Sequence, residues 1–234
     1  METKTLEVRN VSKSYGGVQA LKNVAFTVQQ AEILGIIGPN GSGKTTLLNI
    51  INGILSQDSG SIILNGESIT GLKAHEVCKK GIGRTFQHPK PFLGMTLLEN
   101  LIIGRLFGRN PKKNIEKSTE EELELLQFME LEEPNRKAAE LTVADMKKLE
   151  LARALAGNPL LLLIDELMAG LNPEEVANML EKVKAIREKG LTIIVVEHLV
   201  KALSRIADRI IVFDQGEVIG EDIPSKILKD PQVT

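Results

Sequence analysis

The sequence predicts an α/β fold with a mainly parallel core, an antiparallel β subdomain and an inserted helical subdomain. Three observations support this prediction. Three short and continuously apolar runs have the pattern of strands that are buried on both faces, as parallel strands are. Two segments near the N-terminus alternate apolar and polar residues, as half-buried strands do. A long segment from Met95 to about Ala156 has helical periodicity instead.

The first half of the chain should supply the antiparallel strands and the first core strand. Residues 5–9 and 25–28 alternate like strands at a sheet edge, whereas residues 33–37 read as a buried strand. A helix should follow with Leu47, Leu48, Ile50 and Ile51 buried and Gly53 near its end. Residues 61–64, Asn65-Gly66 and Ile69 predict a hairpin, because Asn-Gly is a strong signal for a tight turn.

The second half should contain the helical insertion and then return to the core. After the loop-like residues 88–91, the helical segment includes a polar connector at about residues 108–118. Residues 160–164 and 193–196 read as buried strands, and a helix from Pro173 to Gly190 should lie between them. Residues 210–218 predict a hairpin around Asp214-Gln215-Gly216.

Composition excludes several classes of protein. The 234 residues are 42% hydrophobic and 26% charged with a net charge of −2, so we expect a globular protein with no nucleic-acid partner. The single cysteine, Cys78, excludes an internal disulfide and a cysteine-rich metal site, and we expect it to be a structural thiol. No apolar run approaches the roughly 20 residues that span a bilayer. The N-terminus lacks the apolar stretch of a signal peptide, which favours a cytoplasmic location.

A glycine-rich loop follows the first core strand and fits the phosphate-binding pattern G-x-x-x-x-G-K-[ST]. Its backbone amides and the N-terminus of the next helix should bind phosphate groups, and Lys44 should contact the β- and γ-phosphates. The Thr45 hydroxyl suits Mg²⁺. The predicted ligands are Gly38, Pro39, Asn40, Gly41, Ser42, Gly43, Lys44, Thr45 and Thr46.

Two carboxylates end the second core strand, where a parallel sheet presents its ligand crevice. We expect Asp165 to hold Mg²⁺ and Glu166 to polarise an attacking water, as a general base or as a water-orienting group. Together with the phosphate loop, they predict a nucleoside triphosphatase.

Nearly the whole chain resembles the ATP-binding subunit of ABC transporters. The motifs SYGGVQAL, GPNGSGKTT, RTFQH, LLLIDE, GLNP and VVEH stand in the family's order. The resemblance implies that Tyr15 stacks on adenine, that Gln87 reaches Mg²⁺ and the water, and that His198 contacts the γ-phosphate. It also implies a P-loop NTPase fold of the RecA-like type, bound to ATP and Mg²⁺. The single nucleotide-binding domain would span residues 1–234, with the core in 1–88 and 157–234 and the helical subdomain in 89–156.

The resemblance also implies partners and a subgroup. Subunits of this family dimerise head to tail and dock on transmembrane permease subunits, so we expect a homodimer or heterodimer held peripherally at the inner face of the membrane. RTFQHPKPFLGMTLLENLIIG, MAGLNPEE and IIVVEHLVKAL resemble the importers of branched-chain amino acids and related amides. The alternatives are a gating subunit that hydrolyses ATP weakly and the ATPase of a lipid or lipopolysaccharide system.

The chain departs from the family at its signature helix, which usually begins Leu-Ser-Gly-Gly-Gln. Here residues 141–145 read LTVAD. Thr142 keeps a hydroxyl that would meet the partner's γ-phosphate, but Val143 hinders close approach. The Asp145 carboxylate would repel that phosphate by an energy on the order of 4 kcal/mol at ~4 Å. This repulsion would be avoided if Asp145 bound the Thr142 amide in a capping box and so pointed away from the phosphate.

Three further departures are smaller. Leu167 replaces a common proline, which should relax its loop, and Ala31 replaces a common glycine, from which we expect little. The chain ends at Thr234, soon after the Asp-Pro-x-Val sequence, which suggests a trimmed C-terminus.

Overall fold

Ten strands form two sheets in the computed structural model, which describes residues 4–87, 89–111 and 115–229 and, of residues 115–118, the backbone alone. The larger sheet has the order β10-β9-β3-β8-β7-β6. Its members are β3 (Ile33–Ile37), β6 (Ile82–Arg84), β7 (Leu161–Asp165), β8 (Thr192–Val196), β9 (Arg209–Asp214) and β10 (Glu217–Asp222). All its pairs are parallel except β9 with β10. Every residue of β3, β7 and β8 is buried, so the predicted mainly parallel core is confirmed.

The smaller sheet is antiparallel, with the order β2-β1-β4-β5. Its strands are β1 (Lys4–Tyr15), β2 (Val18–Gln29), β4 (Ser59–Leu64) and β5 (Glu67–Ser68). β1 and β2 are longer than the alternating runs predicted, and β1 lies inside the sheet rather than at its edge. Register shifts interrupt their pairing, and Asn10 and Asn23 have positive φ. These irregularities break the two-residue period, which is why the sequence pattern gave shorter strands.

Helices surround the larger sheet. They are α1 (Lys44–Ile51), α2 (Ala74–Lys80), α3 (Leu97–Phe107), α4 (Ile115–Phe128), α5 (Val143–Ala156), α6 (Pro173–Glu188), α7 (Val200–Leu203) and α8 (Pro224–Ile227). Asn172 caps α6 by accepting the amides of Glu174 and Glu175, and Gly190 follows its end with φ +92°. The predicted connector is shorter than expected, because α4 already begins at Ile115. The short elements α2, α7, α8 and β6 were missed, since seven residues or fewer carry too little periodicity.

The parallel sheet separates two apolar cores. Ile33 and Ile37 of β3 pack on one side with α3, α5 and α6, whereas Leu34 and Ile36 pack on the other with α1 and the antiparallel sheet. This alternation gives three layers, with the carboxyl ends of β3, β7 and β8 at one edge.

Helices α3 to α5 all fall within residues 89–156, but the boundaries of a helical subdomain there stay a prediction. His88, part of the predicted loop 88–91, residues 112–114 of the connector and residues 230–234, with the expected C-terminal trimming, lie outside the described residues. Within the described ranges, none of the helices has the length and apolar content needed to span a bilayer.

Candidate nucleotide-binding site

The loop between β3 and α1 is shaped by close contacts that admit only glycine. A Cβ atom at Gly38, where φ is +149°, would lie 2.1 Å from the carbonyl oxygen of Phe213. A Cβ atom at Gly43, where φ is +105°, would lie 2.6 Å from the carbonyl oxygen of Ala20. Strands β9 and β2 therefore press against the loop and fix its path.

Lys44, the first residue of α1, extends its side chain back into this loop. Its ammonium donates to the carbonyl oxygens of Gly38 and Pro39, both at 2.8 Å, and the residue is buried. Burial lowers the pKa of Lys44, while the carboxylates of Glu166 and Asp165 act in the opposite direction. The loop thus holds one cation next to the N-terminus of α1, an arrangement suited to an anionic ligand.

The remaining loop residues differ in exposure. Pro39, Asn40, Gly41 and Thr45 are exposed, Thr46 is half-buried and Ser42 is buried. Thr45 lies in the first turn of α1, where its hydroxyl is open to a ligand. The structure therefore keeps the whole predicted set from Gly38 to Thr46 in one strand-to-helix turn.

Asp165 is bound by an arginine that the sequence analysis did not single out. At the end of β7, its Oδ2 accepts a hydrogen bond of 3.0 Å from Nη2 of Arg84, and Nη1 of Arg84 donates to Asn49 at 2.7 Å. Burial raises the pKa of Asp165, against the opposing hydrogen bond from Arg84. Arg84 therefore ties the carboxylate to α1, and the sequence held no usable signal for it, because a strand of three residues shows no periodicity.

Glu166 brings three separate segments of the chain together. Its Oε2 accepts a hydrogen bond of 2.6 Å from Nε2 of Gln87, and its Oε1 lies 2.7 Å from Nε2 of His198. Glu166 also has φ +49°, a backbone conformation that non-glycine residues adopt mainly where the surroundings impose it. The three predicted polar residues are thus in direct contact, with a carboxylate between an amide and an imidazole.

Tyr15 lies at the end of β1 and is 46% exposed. The Nζ atom of Lys13 is 5.7 Å from the centroid of its ring. The neighbouring strand β2 leaves this hairpin and passes the phosphate loop where Ala20 faces Gly43. Tyr15 therefore presents an open aromatic ring on the hairpin that leads to the loop.

Thr142 caps α5 as its position suggests, but the capping box forms only in part. Its Oγ1 accepts the amide of Asp145 at 3.2 Å. The Asp145 carboxylate does not bind the Thr142 amide in return; it accepts the Thr142 hydroxyl at 2.9 Å. No hydrogen bond among the described residues joins Thr142 to the phosphate loop of the same chain.

Two buried carboxylates near Glu166 were also missed as site residues. Oε1 of Glu197 accepts the amide of Met168 at 2.8 Å, and burial raises the pKa of Glu197 to about 7. Glu150 of α5 faces the backbone around Phe86 and Lys90, and burial raises its pKa to about 7 as well. Polar residues inside apolar runs were the available signal, because a buried carboxylate needs a specific reason to be there.

The sequence profile of the ABC transporter family matches residues 21–169, which include the phosphate loop and Glu166. The chain belongs to the ABC transporter family. ABC relatives extend over its whole length. It is 33% identical to the high-affinity branched-chain amino acid transport ATP-binding protein LivG of Escherichia coli, covering all of this chain and 97% of LivG. It is 32% identical to the corresponding protein BraF of Pseudomonas aeruginosa, with the same coverage.

Solved ABC cassettes have the same fold. The ADP conformation of the cassette MJ1267 matches with a TM-score of 0.90 and 36% identity, covering 98% of this chain and 96% of that one. The dimeric structure of the cassette MJ0796 matches with a TM-score of 0.84 and 31% identity, covering 94% and 98%. The P-loop NTPase fold expected from the sequence is therefore confirmed.

Proposed function

We propose that this chain is the ATP-binding and ATP-hydrolysing subunit of an ABC importer for branched-chain amino acids or related small amides. The observation that carries the proposal is the contact of Glu166 with Gln87 and His198, at the edge of the sheet that also bears the phosphate loop. The solute is proposed from LivG and BraF, whose names specify branched-chain amino acids.

The nucleotide is bound by elements with distinct tasks. The backbone of residues 38–46 and the Lys44 ammonium contact the β- and γ-phosphates, and Tyr15 stacks on the adenine. Glu166 accepts a proton from, or orients, the attacking water. Lys44 and His198 stabilise charge on the transferring phosphoryl group, since fixed cations and donors are most effective where charge develops.

Three residues of the site offer oxygen ligands of the kind that Mg²⁺ prefers. Thr45 supplies an exposed hydroxyl, Asp165 a carboxylate and Gln87 a carbonyl oxygen, since its Nε2 is turned toward Glu166. These residues fit the ion, which when bound would neutralise phosphate charge. Arg84 donates to Oδ2 of the Asp165 carboxylate and fixes its position.

The permease docks in an apolar groove beside the segment that carries Gln87. The groove has a volume of about 320 Å³ and includes Phe86, Phe92, Phe107 and Arg153 in its lining. Exposed apolar side chains continue its rim, with Leu93 51% and Phe107 68% exposed. A cytoplasmic segment of a permease would cover this surface and place the chain at the inner face of the membrane.

Two such subunits close head to tail, so that the first turn of α5 in each faces the nucleotide of the other. Thr142 of α5 then lies against the γ-phosphate held by the second subunit. Closure would move the docked permeases, and hydrolysis would reopen the dimer.

Replacing Glu166 by Gln tests the proposed hydrolysis. Removing a general base costs roughly 100-fold or more in turnover, whereas the phosphate loop and hence ATP affinity should be unaffected. ATPase assays, nucleotide titration and size-exclusion chromatography with ATP should give an inactive, ATP-bound dimer. E181Q, on the exposed face of α6, is the matched control and should behave like the wild type. Full turnover in E166Q would refute the role.

A second candidate function is an ATP-binding gating subunit with weak hydrolysis. It is favoured by the hydrogen bond that directs the Thr142 hydroxyl to Asp145 rather than to a ligand. In a heterodimer, this chain's phosphate loop would be completed by the partner's signature and the partner's loop by this altered one. ATPase rates of this chain alone and mixed with a second cassette subunit separate the cases, since rapid turnover alone excludes the gating role.

A further inference from the structure

The backbone that follows Glu166 is held from two sides by buried charged residues. Nζ of Lys147, on α5, donates to the carbonyl oxygen of Leu167 at 2.7 Å and lies 3.3 Å from that of Glu166. From the other side, Oε1 of Glu197 accepts the amide of Met168 at 2.8 Å. Lys147 is 3% exposed and Glu197 is 2% exposed. The segment is therefore fixed by an ammonium on its carbonyls and a carboxylate on its amide.

The backbone of Glu166 needs such support. Its φ of +49° is uncommon for a residue with a side chain, and its amide donates to the carbonyl oxygen of Val196 at 2.9 Å. The direction of the Glu166 side chain follows from this backbone setting. The Lys147 bonds constrain the carbonyl side of the residue, so they help to keep the carboxylate between Gln87 and His198.

The surroundings of Lys147 give it no other evident task. Among the side chains of residues 4–87, 89–111 and 119–229, no carboxylate oxygen lies within 4.0 Å of Lys147 Nζ. Burial lowers the pKa of Lys147, while Glu197, Glu150 and Glu166 counteract this from a longer distance. Burying an ammonium without a carboxylate partner is costly, and the hydrogen bonds of Lys147 Nζ go to the carbonyl oxygens of Glu166 and Leu167. Lys147 therefore fixes the position of the carbonyl groups of Glu166 and Leu167.

Lys147 also belongs to a stripe along α5. Residues 147, 150 and 153 recur at a spacing of three, which places them on one side of the helix. Glu150 lies near the backbone of Phe86 and Lys90 without a hydrogen bond to a described residue, whereas Nη1 of Arg153 donates to the carbonyl oxygen of Lys90 at 2.8 Å. The same helix therefore holds the segment that carries Gln87 and the segment that carries Glu166.

We propose that Lys147 is a positioning residue for Glu166 and makes the backbone conformation and side-chain direction of Glu166 depend on the position of α5. This inference rests on the proposed function, in which the first turn of α5 meets the nucleotide of the second subunit. A displacement of α5 carries the ammonium with it, and the carbonyls of Glu166 and Leu167 follow. Each site of the dimer thereby responds to the occupancy of the other through a side chain that touches no nucleotide.

The variants K147M, K147R and K148M test the ATPase part in the complete chain, alone and with a second cassette subunit. K147M should lower kcat about tenfold or more, because Glu166 loses its setting, while KM for ATP changes by less than about twofold. K147R, which keeps a cation and donors, should restore most of kcat. K148M is the matched control, since Lys148 on the same helix binds Glu130 and Asp145 near the surface. It should resemble the wild type.

Hydrogen exchange of the amides of Glu166 and Met168 supplies a readout that needs no hydrolysis. K147M should accelerate their exchange about tenfold or more, and K148M should leave it unchanged. If the wild type hydrolyses no ATP in any mixture, the proposed function fails, but the exchange result still decides the role of Lys147. If K147M does not fold, K147Q replaces it in the same kinetic and exchange measurements.

Several results would overturn the inference. One is a kcat for K147M, or for K147Q in its place, that equals that of K148M. Another is a loss of kcat matched by an equal rise in KM, which would place the effect on nucleotide binding. A third is K147R as impaired as K147M, and a fourth is unchanged exchange of the Glu166 and Met168 amides.

Discussion

Some single residues have a positive φ although their side chains disfavour that backbone conformation. Ala31 has φ +56°, and it is held there because its amide donates to Oγ1 of Thr192 and its carbonyl oxygen accepts Nε of Arg187. The sequence analysis expected little from alanine at this position. The structure instead indicates that alanine lowers the stability of the fold here, since a side chain in the left-handed region costs about 1–2 kcal/mol.

The variant A31G should therefore stabilise the protein. The relief of strain exceeds the entropy that glycine loses on folding, about 0.5–1 kcal/mol, which leaves a gain of about 0.5 kcal/mol. Urea or thermal unfolding measures it. A185G, inside α6, is the control and should lose about 1 kcal/mol, because its helix needs no positive φ. Destabilisation in A31G would show that the site is not strained.

Predictability from sequence differs among the site residues. The residues of the phosphate loop follow one another in the chain, and so do Asp165 and Glu166. A local sequence pattern was therefore sufficient to predict each group. The contacts of Glu166 with Gln87 and His198 bridge 79 and 32 positions. Their closeness was implied only by the family resemblance, and their roles stay predictions. Arg84 and Lys147 act through contacts that no local pattern encodes, which is why they were missed.

At the scale of elements, α5 combines two different ends. Its first turn is exposed, with Val143 60% exposed and Asp145 accepting the Thr142 hydroxyl. Farther along, Lys147 and Glu150 are buried against loops of the site. The helix itself was predicted from sequence because its apolar residues are periodic. The inward direction of its charged residues was not, since solvation of such residues is the usual outcome.

Restoring the family's signature in α5 should raise the ATPase activity and lower the stability of the fold. The triple variant V143G/A144G/D145Q frees the Thr142 hydroxyl and removes a negative charge, so ATPase activity of a mixed dimer should rise. Unfolding should become easier by about 0.5–1 kcal/mol for each glycine. ATPase assays and thermal unfolding measure both effects.

Adding E166Q to the triple variant serves as the control. Glu166 acts in this chain's own site, whereas the first turn of α5 acts in the partner's, so the gain should persist in the mixed dimer. If turnover of the mixed dimer does not rise with the triple variant, the altered signature is neutral.

At the scale of the whole molecule, buried carboxylates make folding depend on pH. Glu150 and Glu197 have pKa values raised from 4.5 to about 7 by burial. Arg153 and Lys147 oppose the shift at Glu150 without cancelling it. Between pH 4.5 and about 7 the folded chain binds more protons at these sites than the unfolded chain does. Stability from these groups is therefore fully present below pH 4.5 and is lost as the pH rises toward 7.

The variant E150Q should flatten this dependence. Each unit of pKa shift corresponds to about 1.4 kcal/mol, so the substitution removes up to about 3 kcal/mol of the loss between acidic and neutral pH. Urea unfolding at about pH 5 and about pH 8 measures the slope, and E150Q should be more stable than the wild type at the higher pH. E181Q, at an exposed position, should keep the wild-type slope. An unchanged slope in E150Q would show that Glu150 ionises normally.

The two ends of α5 have a consequence for how an assembly with two sites can be tuned. Only two positions separate Asp145, in the exposed first turn, from Lys147, which binds the loop after Glu166. In the proposed dimer, a substitution before this boundary alters the neighbouring subunit's reaction, and one after it alters the chain's own. One helix thus carries residues that act on both sites of the dimer, so unequal sites can arise in a heterodimer without any change to a phosphate loop.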